Sequence, residues 1–224
     1  AKDSFTVDGG TLEITFIGHG TLMLAYNGTI IQVDPWSQLA DYSHFPKAGL
    51  ILVTHEHGDH LDPLAVQACR DQGTEIVLTE ACASRIPGGI VMKNGDSRET
   101  RGIRIEAVPA YNILHRRPDG NPFHPQGSGN GYLLGFGAGS FLVYIAGDTE
   151  EIPEMALLRE RKIDIAFLPM NLPYTMTPEM VADAAKVIRP GILYPYHYGD
   201  TDTGELIHFL EGEKDIEVRI RNLQ

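Results

Sequence analysis

Directly after the apolar run Leu50-Ile51-Leu52-Val53, the chain reads Thr54-His55-Glu56-His57-Gly58-Asp59-His60. The run predicts a buried strand, so the polar cluster behind it is delivered to a sheet edge. Three imidazoles and two carboxylates within six residues are the donors that suit zinc and its borderline neighbours. The i, i+2 spacing lets His55 and His57 reach one ion from a tight turn, and Asp59 and His60 are then free for a second. A polar loop with incidental histidines is the plain alternative, but ligand types packed this closely favour a metal site.

The surrounding pattern is that of a mixed α/β protein. Leu12 to Ile17, Thr21 to Tyr26 and Thr29 to Val33 are short β-rich runs, and Asn27-Gly28 marks a hairpin between the last two. Trp36 to Pro46 is a long loop whose aromatics either cover a pocket or pack on the core. Asp62 as N-cap and Pro63 at N1 start a helix through about Gln72, and Glu75 to Thr79 returns to strand. Ala81 to Ile86 reads as a short helix, Asn94-Gly95 as a turn, and Ile103 to Val108 as a strand. His115 to Asn130 has no periodicity and is read as a loop with special backbone needs. Gly131 to Phe136 and Phe141 to Ala146 form a second hairpin. A helix near Pro153 to Arg159, a strand Ile163 to Leu168, a helix from Thr177 to about Arg189, a strand Ile192 to Tyr196, a helix of about Gly204 to Glu211 and a strand Ile216 to Ile220 follow. Each half thus opens as a meander and continues as alternating helices and strands, which fits a two-sheet core in one domain spanning 1–224. His55, Asp148 and His197 each stand just past the carboxyl end of an apolar strand, where open α/β sheets place their sites.

Bulk properties narrow the function. With 30 acidic and 18 basic residues the formal charge is -12, which repels phosphate backbones, so nucleic acid is not an expected partner and a small molecule is. No apolar run approaches the roughly 20 residues that cross a bilayer. Cys69 and Cys82 lack CxxC spacing and are not read as ligands; they are buried thiols or, in an exported chain, a disulfide. The first residue, Ala1, fits a removed signal peptide and an exported or periplasmic protein, or equally a shortened cytoplasmic one.

HxHxDH as His55, His57, Asp59 and His60, with Gly147-Asp148-Thr149 and His197 in Tyr194-Pro195-Tyr196-His197-Tyr198 downstream, resembles the metallo-β-lactamase superfamily. Gly18-His19-Gly20, Asp34-Pro35, Pro109-Ala110-Tyr111-Asn112, Gly129-Asn130-Gly131-Tyr132 and Leu168-Pro169 are similar to its short single-domain hydrolases, such as the ascorbate-phosphate lactonase and N-acylphosphatidylethanolamine phospholipase D groups. The resemblance implies a four-layer αββα sandwich with two divalent ions at one edge, Zn2+ first and Mn2+ or Fe as alternatives. It assigns His55, His57 and a further histidine to the first ion, and Asp59, His60 and His197 to the second, with Asp148 bridging. Many relatives carry the further histidine where this chain has Asn112. His124 is the preferred substitute, because Phe123-His124-Pro125-Gln126-Gly127 leads straight into the next core strand; His115, beside Arg116 and Arg117, is the alternative.

The implied chemistry is hydrolysis of a phosphodiester, lactone or related ester or amide by a hydroxide held between the ions, with Asp59 orienting it. A di-iron oxidoreductase on the same fold is the main alternative, although its motif carries a carboxylate where His57 stands; a metal-dependent nuclease is another. Around the ligands, His19 reads as pocket floor. Asp34 reads as a hydrogen-bond partner of a ligand histidine, since an unpaired carboxylate at the end of a buried strand is costly. Tyr111, Asn112 and Asn130 are candidates for orienting substrate or supporting the histidine loop. Tyr174 and Met176 are candidate cleft residues. Arg116 and Arg117 are candidate anchors for an anionic group, or plain surface.

Overall fold

The computed structural model describes residues 1–224. Two seven-stranded sheets each follow chain order. In the first, β1 (Lys2–Val7), β2 (Gly10–Gly18), β3 (Thr21–Tyr26) and β4 (Thr29–Val33) form an antiparallel meander. The β3–β4 turn needs two left-handed residues, which Asn27 (φ 47°) and Gly28 (φ 77°) supply. β5 (Leu50–Leu52), β6 (Glu75–Leu78) and β7 (Ile90–Val91) then add in parallel, with α1 (Pro63–Cys69) and α2 (Glu80–Ala83) in the connections.

The second half repeats the plan. β8 (Ser97–Thr100), β9 (Ile103–Ala110), β10 (Gly129–Phe136) and β11 (Phe141–Ile145) are antiparallel; β12 (Ile165–Pro169), β13 (Ile192–Tyr196) and β14 (Glu217–Val218) continue in parallel. α3 (Pro178–Ile188) and α4 (Thr203–Phe209) lie in those crossovers.

β5 shows how one short run holds two layers. Leu50 and Leu52 belong to the large cluster between the sheets, whereas Ile51 and Val53 belong to a second cluster with Ala65, Val66 and Cys69 of α1. Both faces are fully buried, so the strand reads as a continuous apolar run rather than an alternating one. At about 1.5–3 kcal/mol for each fully buried large aliphatic side chain, these four residues anchor the edge that carries the histidines. The sheets meet face to face through aromatics: the Phe16 ring lies 5.1 Å from Tyr194 and 6.3 Å from Phe167.

Several local expectations need correction. β1, β7 and β8 were not foreseen; Lys2–Val7 and Ser97–Thr100 are mostly polar, and their pairing partners, not their composition, make them strands. α1 stops at Cys69 rather than Gln72, because Asp71 Oδ1 accepts from the Gly73 N–H and the Asp71 N–H donates to Thr74 Oγ1, a local turn that competes with the helix. Pro153–Arg161 is a 3₁₀ helix, and the closing strand is only Glu217–Val218. β10 begins at Gly129, so the irregular segment ends at 128. Cys69 and Cys82 are buried free thiols. No helix is long and apolar enough to cross a membrane.

Candidate metal centre

The two histidine-bearing edges of the sheets meet. His19 follows β2, Asp34 follows β4, His55 to His60 follow β5, Asp148 follows β11 and His197 follows β13. Their donor atoms form two groups, His55, His57, His124 and Asp148 in one and His19, Asp59, His60 and His197 in the other, with the atoms of each within 4.8 Å of one another. Asp148 joins them: its carboxylate lies 3.2 Å from His124 Nε2, 3.4 Å from His60 Nε2, 3.5 Å from His197 Nε2 and 3.8 Å from His55 Nε2.

Hydrogen bonds behind the rings fix which nitrogen faces inward. Asp34 Oδ2 lies 2.8 Å from His60 Nδ1 and 2.6 Å from Thr54 Oγ1, and Oδ1 accepts from the Thr54 N–H. A carboxylate only accepts, so both partners donate. His60 Nε2 is thereby turned to the centre. The Thr54 hydroxyl proton being committed to Asp34, its oxygen accepts from His55 Nδ1 at 3.0 Å, which leaves the His55 Nε2 lone pair free. For His124 the partner is Asn112 Oδ1, 2.6 Å from Nδ1. The amide cannot be turned round, because its nitrogen donates to Glu150 Oε1 and to the Tyr174 carbonyl. Such orientation of ligating imidazoles by carboxylate and carbonyl groups is a general feature of metal sites.

The inward atoms lack partners of their own. His60 Nε2, His124 Nε2, His197 Nε2 and Asp148 Oδ1 are buried without a hydrogen bond, although buried polar atoms are normally satisfied. A cation held among them would supply what is missing, and a donor set of imidazole nitrogens and carboxylates fits a borderline divalent metal. Electrostatics agrees. Burial alone would raise Asp148, but His197, His60 and His124 around it hold it well below the usual carboxylate range. Burial likewise opposes the low value of Asp59, which the hydrogen bond with His19 and the nearby His197 and His60 rings impose. Burial depresses His55 and His57, whereas Asp148 and Asp34 overcome burial at His60 and push it up to about 10. The buried carboxylates demand positive charge, and a bound cation meets the same demand.

His19 lines the cavity and also joins the donor atoms: Nε2 is 2.9 Å from Asp59 Oδ2 and the ring centroid is 3.7 Å from that of His197. Its backbone is left-handed (φ 50°), as is that of His197, whose N–H donates to the His19 carbonyl. Gly20 is required here, since a Cβ on it would meet His60 Cε1 at 2.8 Å.

Other candidates lie elsewhere. His115 is turned away, with Nδ1 2.7 Å from Glu150 Oε1, and is not among the converging donors. Tyr111 donates its hydroxyl to Glu154, and Asn130 bonds Asn94 and the Met92 carbonyl; both brace the scaffold and neither lines the cavity over the centre. That cavity, about 420 Å³, is bounded by Arg117, Phe123, Asn171 and Tyr174 besides the ligand groups. The Trp36 to Pro46 loop does not line it; Tyr42 is buried in the core cluster and the Trp36 ring packs 5.4 Å from His19. Met176 is fully buried in the core. Glu150 and Thr54 were missed from sequence. The buried Glu150 carboxylate accepts from the N–H groups of Ile113, Leu114 and His115 and from Asn112, and so pins the start of the 111–128 segment. Its signal was a second acidic residue two positions beyond Asp148.

A family model described as beta-lactamase superfamily domain matches residues 13–197, a span that contains every donor above. The chain is similar to a Parabacteroides distasonis protein described as a metal-dependent hydrolase, with 53% identity, a TM-score of 0.94 and coverage of 100% of this chain and 99% of that one. It is also similar to Igni18, a metallo hydrolase of Ignicoccus hospitalis, at 26% identity and TM-score 0.77 over 94% of this chain and 95% of that one. A UPF0173 metal-dependent hydrolase of Methanopyrus kandleri is 33% identical over 203 residues, 84% of each chain.

Proposed function

The chain belongs to the beta-lactamase superfamily domain family and is a metal-dependent hydrolase; from that premise we propose a binuclear centre that cleaves a phosphodiester, lactone or related ester or amide bond of a small molecule. The observation that carries the reading is Asp148, whose single carboxylate faces histidines of both donor groups. An anion in that position offsets the repulsion of two dications roughly 3.5–4 Å apart.

In this reading His55, His57 and His124 hold one ion, Asp59, His60 and His197 the other, and Asp148 both. Zinc suits the nitrogen-rich donor set, with Mn2+ or Fe as the alternatives that metal analysis separates. When bound, the ions polarise the scissile bond and lower the pKa of water from 15.7 towards about 7. The protein's own part is orientation and exclusion of water. Asp59 is the donor carboxylate open to the cavity, its side chain 34% exposed against 4% for Asp148. It would orient the attacking water, and the His19 Nε2 contact at 2.9 Å fixes the position of its carboxylate. Both halves supply donors, so the functional unit is one domain of residues 1–224.

Asp59→Asn and His57→Ala test this. Each is expected to lower turnover of any responsive ester or phosphodiester by at least about a hundredfold, with circular dichroism unchanged. Undiminished hydrolysis by metal-replete variants would sink the reading.

A further inference from the structure

Resting on the hydrolase reading above, we propose that Arg117 is the specificity-determining residue for an anionic oxygen group, a carboxylate or phosphate, carried by the substrate beside its scissile bond. Arg116 and Arg117 look alike in sequence, and the fold separates them. The Arg116–Pro122 bridge and the Arg117–Asn121 backbone hydrogen bond fold residues 116–122 back on themselves. Arg116 spends its guanidinium on the Gly120 and Ile113 carbonyls of the same segment. Arg117 instead projects to the cavity wall over the donor groups.

Three features of Arg117 point to a ligand. It is the only lysine or arginine that lines this cavity. Its guanidinium carbon lies 5.0 Å over the Phe123 ring, which in turn meets the Tyr174 ring edge to face at 5.1 Å. Stacking of this kind fixes the plane of the group and leaves its N–H edge for a planar or tetrahedral oxyanion. Only Nη2 is engaged, and weakly, 3.3 Å from His57 Nε2 and 3.5 Å from the Phe123 carbonyl. No carboxylate pairs with it; Asp119, the nearest acid along the segment, accepts from Asn121.

The contact with His57 also marks the distance. His57 Nδ1 is the nitrogen that faces His55 Nε2, at 3.1 Å. An imidazole that gives its Nδ1 lone pair to a cation carries its proton on Nε2 and can no longer accept from a guanidinium. Holding an ion at His57 Nδ1 would thus remove one of the two weak partners of Arg117 and leave its charge facing the cavity beside that imidazole. Arg117 is thus the one cavity-lining side chain with a permanent positive charge, and it has no carboxylate partner.

The test uses zinc-replete full-length protein and Arg117→Met, with Arg116→Met as the control. Calorimetric titrations with succinate and, separately, inorganic phosphate decide whether the group is carboxylate or phosphate. Arg117→Met is expected to weaken at least one of them tenfold or more, while Arg116→Met matches wild type. Matched neutral and carboxylate-bearing aryl esters provide the second readout: the ratio of their kcat/KM values should fall at least tenfold towards the neutral ester in Arg117→Met, with partial recovery in Arg117→Lys. Equal dissociation constants in wild type and Arg117→Met for both anions would overturn the proposal. A zinc-replete wild type that hydrolyses neither ester would count against the hydrolase reading alone, since the titrations still decide the role of Arg117.

Discussion

At the scale of single residues, the proposed centre depends on side chains outside the two donor groups. Asp34 and Asn112 each hold one ring nitrogen so that the other faces inward. Asp34→Asn and Asn112→Ala should therefore lower metal affinity by about 10–100-fold, measured by competition with a chromophoric chelator. Asn112→Ala should weaken only the site of His124, and Asp34→Asn chiefly that of His60. Affinities equal to wild type would mean that the rings are oriented by packing alone. The motif histidines were legible because imidazole and carboxylate are unusual at the ends of apolar strands. The preference for His124 over His115 came from its lead into the next core strand; the contacts that separate the two, Glu150 beside His115 and Asn112 on His124, carry no local pattern.

At the scale of elements, each donor is set by the strand end or loop beneath it. The 111–128 segment carries His124 and Arg117 and is tied down at its start by three N–H bonds to one buried carboxylate, Glu150. Glu150→Gln replaces part of that acceptor with an N–H donor facing other donors. The expected result is a loss of about 1–3 kcal/mol and faster proteolytic cleavage within 111–128, with the rest of the chain intact. The β2–β3 turn is equally constrained. Gly20→Ala places a methyl against His60 and should weaken the second site, as read by the stoichiometry of tightly bound metal. Strand β5 was evident from its apolar run, whereas β1 and β8 were not, since edge strands with exposed polar residues carry little pattern. The 3₁₀ helix Pro153–Arg161 has only Met155 and Leu158 buried, too thin a face to distinguish it from an α-helix in sequence.

At the scale of the whole molecule, two halves of one plan must stay in register for their edges to share a centre. Asp3 of β1 contributes to this by reaching Tyr194 and Arg221 of the second half, with Arg221 Nη2 2.7 Å from Oδ2. Burial would raise Asp3, but the hydrogen bonds from Tyr194 and Arg221 hold it below its ordinary value. A carboxyl depressed in the folded state stabilises fully above its unfolded pKa, about 3.9, and that contribution disappears as pH falls through the folded value. Asp3→Asn should thus destabilise the protein at pH 7, and its effect should begin to shrink as pH falls below about 3.9 and vanish below the lower folded value, measured by denaturant unfolding across pH. A penalty independent of pH would assign the contact to packing instead. The two-sheet plan was readable from the order of meander and alternation in each half; that the two strand edges converge is a property of the packed sheets, which local pattern does not encode.

The central claim is that both halves together hold two ions through Asp148. Elemental analysis of metal per chain, by inductively coupled plasma mass spectrometry after gel filtration, tests it most directly. The account predicts two equivalents in wild type and fewer than one in Asp148→Asn; saturation of wild type at one equivalent, or two retained by Asp148→Asn, would contradict it.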